Sequence, residues 1–269
     1  MRINFDKIII VFTVLTIASF LHFSSITSIV FAQENNIGSG NNQPNINAAS
    51  LFNTKTMVLG HNVKNLVILI PDEGHHGPNE ANEARFLEQQ FVPENAVINP
   101  GTTVSWFSGD VGHERTVNVK DATGSSVLFS TGVITDSQAS KTYTFNTPGT
   151  YNYEAMGDDG VIMKGTVTVK SIESPVTTAA AATAGGGGVG GAIDTVGVMM
   201  VPTQDLGTYV QDVKNAGLTV DSTYDFKDLR GGQKGTGDVQ TLLVWTSGGK
   251  DLNSVITPLS QLSLSLPYS

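Results

Sequence analysis

Hydrophobic and polar positions alternate in different rhythms along this chain, and the changes of rhythm mark its parts. Residues Ile8 to Phe20 are almost purely apolar and follow Arg2 and Lys7. No Lys, Arg, Asp or Glu occurs from Ile8 to Ala32. Val30-Phe31-Ala32 offers modest residues where a signal peptidase reads. Residues 1–32 therefore read as a signal peptide or, if uncleaved, an N-terminal anchor, because a span needs about 20 apolar residues. Residues 33–50 are rich in Asn, Gly, Gln and Ser and predict a flexible tether. Two apolar runs follow, Met57-Val58-Leu59 and Leu66 to Ile70. The second predicts a buried strand stopped by Pro71.

From Phe86 to Lys170 the rhythm becomes period two. Thr102-Thr103-Val104-Ser105-Trp106, Thr116-Val117-Asn118-Val119-Lys120, Thr142-Tyr143-Thr144-Phe145, Tyr151-Asn152-Tyr153 and Gly165-Thr166-Val167-Thr168-Val169 all alternate. Alternation predicts strands with one buried and one wet face. Pro100-Gly101 and Pro148-Gly149 mark turns. Short strands at this spacing predict a mainly β fold, a sandwich occupying residues 51–170 with its core in 86–170.

Residues 171–191, ending in an Ala/Thr/Gly-rich run with four consecutive glycines, read as a linker. Beyond it, residues 192–269 predict a small α+β unit. Ile193 to Val201 and Val239 to Trp245 are its strands. Leu206, Tyr209, Val210 and Val213 fall on one face of a helix, with Gly217 as its stop. Leu252, Val255, Ile256 and Leu259 repeat that spacing around Pro258. The segment RGGQKGTGD lacks the spacing of a phosphate-binding loop and reads as a surface loop.

Composition narrows the chemistry. Lys plus Arg is 15 and Asp plus Glu is 24, a formal charge of −9 over 269 residues. That balance argues against nucleic acid as a partner, since neutralising phosphates takes clustered Lys and Arg. The absence of cysteine excludes disulfides, thiolate metal sites and thiol nucleophiles. No Gly-x-Ser-x-Gly or His-Glu-x-x-His pattern occurs, so the chain is not expected to be an enzyme.

Two motifs carry a family resemblance. In FVPENAVINPGTTVSWFSGDVGHERTV, the residues Phe91, Pro93, Gly101, Val104, Trp106, Asp110 and His113 resemble the first motif of the cupredoxins, the plastocyanin-like blue copper proteins. In YTFNTPGTYNYEAMGDDGVIMKGTVTV, the residues Phe145, Pro148, Gly149, Thr150, Tyr151, Tyr153, Met163, Gly165, Val167 and Val169 resemble the second. The resemblance covers roughly residues 86–170 and implies a Greek-key β-sandwich.

The resemblance also implies a copper site, and here the chain departs from the pattern. Blue copper takes two His and one Cys, with a long axial Met. His113 matches the first His and Met163 the Met. Ala155 stands where the Cys belongs, and Asp158 or Asp159 where the second His belongs. Electron transfer of the blue copper type is thereby disfavoured. Two expectations remain. In one, copper binds without a thiolate through His113, Met163, Asp158 and Glu114, with His75 and His76 able to swing over the same end, for storage, delivery or sensing. In the other, the fold is a metal-free module that binds a protein partner. The expected location is extracytoplasmic, secreted or tethered to the outer face of the cell membrane, with membrane contact only through the N-terminal segment.

Overall fold

The computed structural model describes residues 46–72, 87–110, 112–158, 160, 162–171, 193–227 and 239–263. All of these lie in one compact unit, Asn42–Ser269. They form a mainly β, cupredoxin-like sandwich of two six-stranded sheets with a few helices.

The first sheet contains β1 (Thr56–Val58), β3 (Asn95–Ile98), β5 (Arg115–Lys120), β6 (Val127–Ile134), β8 (Gly149–Gly157) and β9 (Ile162–Val169). Their order across the sheet is β1-β3-β9-β8-β5-β6. The second contains β2 (Asn65–Ile70), β4 (Thr102–Ser108), β7 (Tyr143–Phe145), β10 (Ile193–Pro202), β11 (Thr219–Lys227) and β12 (Val239–Gly248). Its order is β11-β12-β10-β2-β4-β7. The expected alternation is realised as burial. Arg115, Val117 and Val119 of β5, Tyr151, Tyr153 and Ala155 of β8, and Met163, Val167 and Val169 of β9 all turn inward.

The sheets meet through aromatic rings. Trp106 of β4 contacts Tyr153 of β8 edge-on at 5.4 Å between centroids. Phe91 packs on the same tyrosine at 4.8 Å. Burial pushes the Tyr153 hydroxyl well above its ordinary pKa, so it stays neutral. Gly165 lies opposite Tyr153 in the β8–β9 ladder. A Cβ there would meet the tyrosine ring, so glycine is what lets the ring lie against β9.

Two boundaries differ from the sequence reading. Residues 192–269 were expected to stand apart, yet β10 pairs in parallel with β2 through Thr195↔Asn65, Val196↔Leu66 and Gly197↔Val67. The strands β10, β12 and β11 thus continue the sandwich's second sheet. The physical reason is β2 itself: Leu66 to Ile70 is buried on both faces and needs a strand on either side. The helices α2 (Leu206–Asn215) and α3 (Leu252–Ser263) follow the expected spacing, and α3 continues through Pro258.

The second difference concerns the tether. Its last residues enter α1 (Ala48–Thr54), capped by the Asn47 side chain accepting from the Ser50 amide at 3.0 Å. The Ala48 amide donates to Ser222 Oγ at 2.9 Å, so α1 is fastened to β11. The leader, the linker 172–191 and the segment 228–238 lie outside the described residues. Among the described residues no helix is long and apolar enough to cross a membrane.

Candidate metal centre

The end of the first sheet carries the loops that the two motifs supply. The first loop runs from Asp110 to Arg115, between β4 and β5. Gly112 takes a positive φ of 82°, which lets the loop turn. Arg115 then begins β5 on the inward phase, where a charge needs a partner. Asp110 provides it: Arg115 Nε donates to Asp110 Oδ2 at 2.6 Å, and both side chains are fully buried. This pair ties the two ends of the loop together and fixes where His113 emerges.

The second loop joins β8 to β9. The ladder between these strands is continuous from Gly149↔Val169 to Met156↔Ile162. Asp158 therefore follows directly after the end of β8. Its backbone amide donates to the Glu114 carbonyl at 3.3 Å, which seats one loop on the other. His113 Nδ1 lies 3.2 Å from Asp158 Oδ1, with the imidazole 16% and the carboxylate 53% exposed. The hydrogen bond from His113 holds the Asp158 carboxyl below the usual carboxylate range.

The expected ligands thus separate. His113 and Asp158 are brought together. Glu114 is exposed and reaches Asp158 through its backbone carbonyl. Met163 is buried opposite Ala155, in register across β8 and β9. Val117 completes the row on the other side of Ala155. The position where the resemblance calls for a thiolate is therefore a dry row, Val117–Ala155–Met163. His75, His76 and Asp159 lie outside the described residues, and His61 is exposed. Among the described residues no three His, Cys, Asp or Glu side chains converge on one point.

A blue copper centre needs a thiolate and the chain has no cysteine; where the resemblance would place one stands Ala155. A thiolate-free centre fits in part. Two donors at about 2.0–2.2 Å from a metal, at right angles, lie about 3 Å apart. The 3.2 Å His113–Asp158 contact is a hydrogen bond, so a metal there would have to replace the Nδ1 proton. Sequence reasoning missed the Asp110–Arg115 pair. Its signal was present, since Arg115 shares the phase of Val117 and Val119 and so had to be buried.

No protein-family model matches the chain and no curated protein matches it. Among solved structures, a purple cupredoxin from Nitrosopumilus maritimus is 25% identical over 39% of this chain and 99% of its own, with a TM-score of 0.28. A copper-containing nitrite reductase from Thermus scotoductus is 17% identical, at a TM-score of 0.32; it matches 44% of this chain, which spans 29% of the reductase. Reduced rusticyanin is 13% identical over 46% of this chain and 94% of its own, with a TM-score of 0.29.

Proposed function

We propose that this chain is an extracytoplasmic cupredoxin-like protein that binds Cu(II) at a thiolate-free site and serves in copper storage, delivery or sensing rather than in catalysis. One observation carries the reading: the imidazole of His113, which matches the first His of the resemblance, and the carboxylate of Asp158, one of two candidates for the second His position, stand 3.2 Å apart at the loop end of the sandwich. Imidazole and carboxylate are donors that Cu(II) accepts in tetragonal geometry. With two protein donors the remaining positions fall to water or to a partner. The charge of −9 favours cation accumulation near the surface. Export rests on the leader, and the partner that would receive the metal is a protein.

The test is copper loading. The chain is exposed to Cu(II), dialysed and assayed for bound metal beside His113→Ala and Asp158→Ala. About one copper retained per chain, lost in both variants, with no intense thiolate-to-copper absorption, supports the reading. No retained copper in the unaltered protein overturns it.

A second reading, a metal-free module that binds a protein partner, is favoured by the Val117–Ala155–Met163 row. There the positions that the resemblance assigns to the thiolate and the thioether hold Ala155 and Met163, paired in a continuous ladder and filled by apolar side chains.

A further inference from the structure

The outer face of the first sheet carries a groove of about 390 Å3, between the start of β3 and the turn that joins β5 to β6. That volume falls within the range of small-molecule sites, about 300–1,000 Å3. Strand register assembles its floor. Asn95, Thr166 and Asn152 are successive cross-strand neighbours on β3, β9 and β8, and Lys164 pairs with Glu154 beside them. All five occupy the outward phase of their strands. Lys120, the last residue of β5, and Glu94, just before β3, complete the polar lining.

Contacts within the protein hold this lining in place. Lys120 Nζ lies 2.9 Å from Glu154 Oε1. Thr166 Oγ1 donates to Asn95 Oδ1 at 2.7 Å, which orients the carboxamide and leaves its amino group free to donate. Glu94 Oε2 accepts from the Gln90 amide at 3.4 Å, and Gln90 Oε1 accepts from the Lys164 amide at 2.6 Å, so the chain entering β3 is fastened to β9. The opposite wall, at Gly124, belongs to a turn pinned by Asp121. Its Oδ1 accepts from the amides of Thr123 at 3.1 Å and Ser125 at 2.8 Å.

We propose that this groove binds a short stretch of an uncharged saccharide. The lining's charge excludes ions: two carboxylates and two ammonium groups sum to zero, in a chain of net −9. Such a groove focuses no field on an anion or a cation. It also offers no ring for stacking. Tyr153, the only aromatic residue along the groove among the described residues, is buried in the core. What it offers is acceptors and donors side by side: carboxylate oxygens, two carboxamides, a hydroxyl and ammonium groups. A hydroxyl both donates and accepts, so adjacent hydroxyls of one ligand satisfy a carboxylate and an ammonium at once, through charge-assisted bonds. A saccharide carries such hydroxyls in fixed order around its rings. The proposal is independent of the metal reading, because the groove shares no residue with the His113–Asp158 loops.

The full chain is titrated with cellohexaose, maltohexaose, mannohexaose and N-acetylchitohexaose, beside the acidic hexagalacturonate. The side-chain amide signals of Asn95 and Asn152 are followed by NMR. Saturable shifts of both signals with at least one neutral hexasaccharide are expected, while Asn253 on α3 stays unmoved. The midpoint should hold between about 0.02 and 0.5 M salt, because no ligand charge is screened. Asn152 and Lys164 are exposed, so Asn152→Ala/Lys164→Ala should fold as the unaltered protein does. Followed through Asn95, its midpoint should rise at least about tenfold. No shift from any neutral hexasaccharide up to about 10 mM, tighter binding of hexagalacturonate, or an unchanged midpoint in the double variant would each overturn the proposal. If the variant fails to fold, judged by its circular dichroism, the titrations of the unaltered protein decide alone.

Discussion

Ala155 and Met163 face each other across the β8–β9 ladder, both buried on the inner face of the first sheet. The resemblance to blue copper proteins would place the thiolate and the thioether of one metal at these two positions. Here the ladder keeps its register through both and on to Met156↔Ile162, so the strands have no opening at that point. The contact between two of the expected ligands lies further out, where His113 meets Asp158.

Restoring the sulfur alone should therefore fail to restore the colour. Ala155→Cys places a thiol in a dry row between Val117 and Met163, with no histidine in the second motif. After Cu(II) loading, visible absorption should lack the intense thiolate-to-copper band. Such a band at stoichiometric strength would show that the hairpin opens to admit copper.

The His113–Asp158 contact has a pH signature. Hydrogen bonding to His113 lowers the Asp158 pKa below its ordinary value of about 3.9 in the folded chain. A depressed carboxylate contributes stability above its unfolded pKa and loses it as pH falls through the folded one. The contribution is thus complete above about pH 4 and fades below it. In His113→Gln, NMR titration of the Asp158 carboxyl carbon should move upward toward the ordinary value. An unchanged midpoint would mean that the two side chains are not in contact in solution.

Breaking the buried pair beneath the loop should be costly. Asp110→Ala leaves the Arg115 guanidinium buried without that carboxylate, and such losses cost about 3–5 kcal/mol. Denaturant unfolding should register that loss. Replacing both, as Asp110→Leu/Arg115→Met, should recover most of it, because apolar pairs of similar volume often substitute for buried ions. A loss below about 1 kcal/mol in the single variant would contradict the burial of this pair.

The joined sheet makes its own demand. Gly197 of β10 lies opposite Trp245 of β12, and a Cβ there would run into the buried indole. Gly197→Ala should destabilise the whole protein by about 1–3 kcal/mol in a single unfolding transition. A separate early transition, with the rest of the chain unaffected, would mean that β10–β12 fold as a body of their own. Deleting residues 172–269 should leave the hydrophobic strand β2 as an edge and yield aggregated protein; a soluble, cooperatively folded product would refute the shared sheet.

Much of the fold was legible because burial in a sheet follows a period of two, and that period is written locally. The phases of β5, β8 and β9 follow directly from the alternating residues, and the same phases carry Arg115 and Met163 inward. The helical spacing of Leu206 to Val213 is equally local. What β2 pairs with was not legible. A continuous apolar run says that both faces and both edges are covered, but it does not say by which segment. The tie between Ala48 and Ser222 joins residues 174 apart and leaves no mark on either stretch.

The sequence by itself determined the chemistry available to this protein: no thiolate, one imidazole in the first motif, and carboxylates but no imidazole in the second. Residue identity is local, so those exclusions hold in any fold. Only the tertiary structure decided which of the candidate donors meet. It brought His113 to Asp158 through two loops far apart in sequence and closed Met163 away opposite Ala155. Those outcomes depend on strand register and sheet order, which arise from pairing between distant segments and not from any one of them.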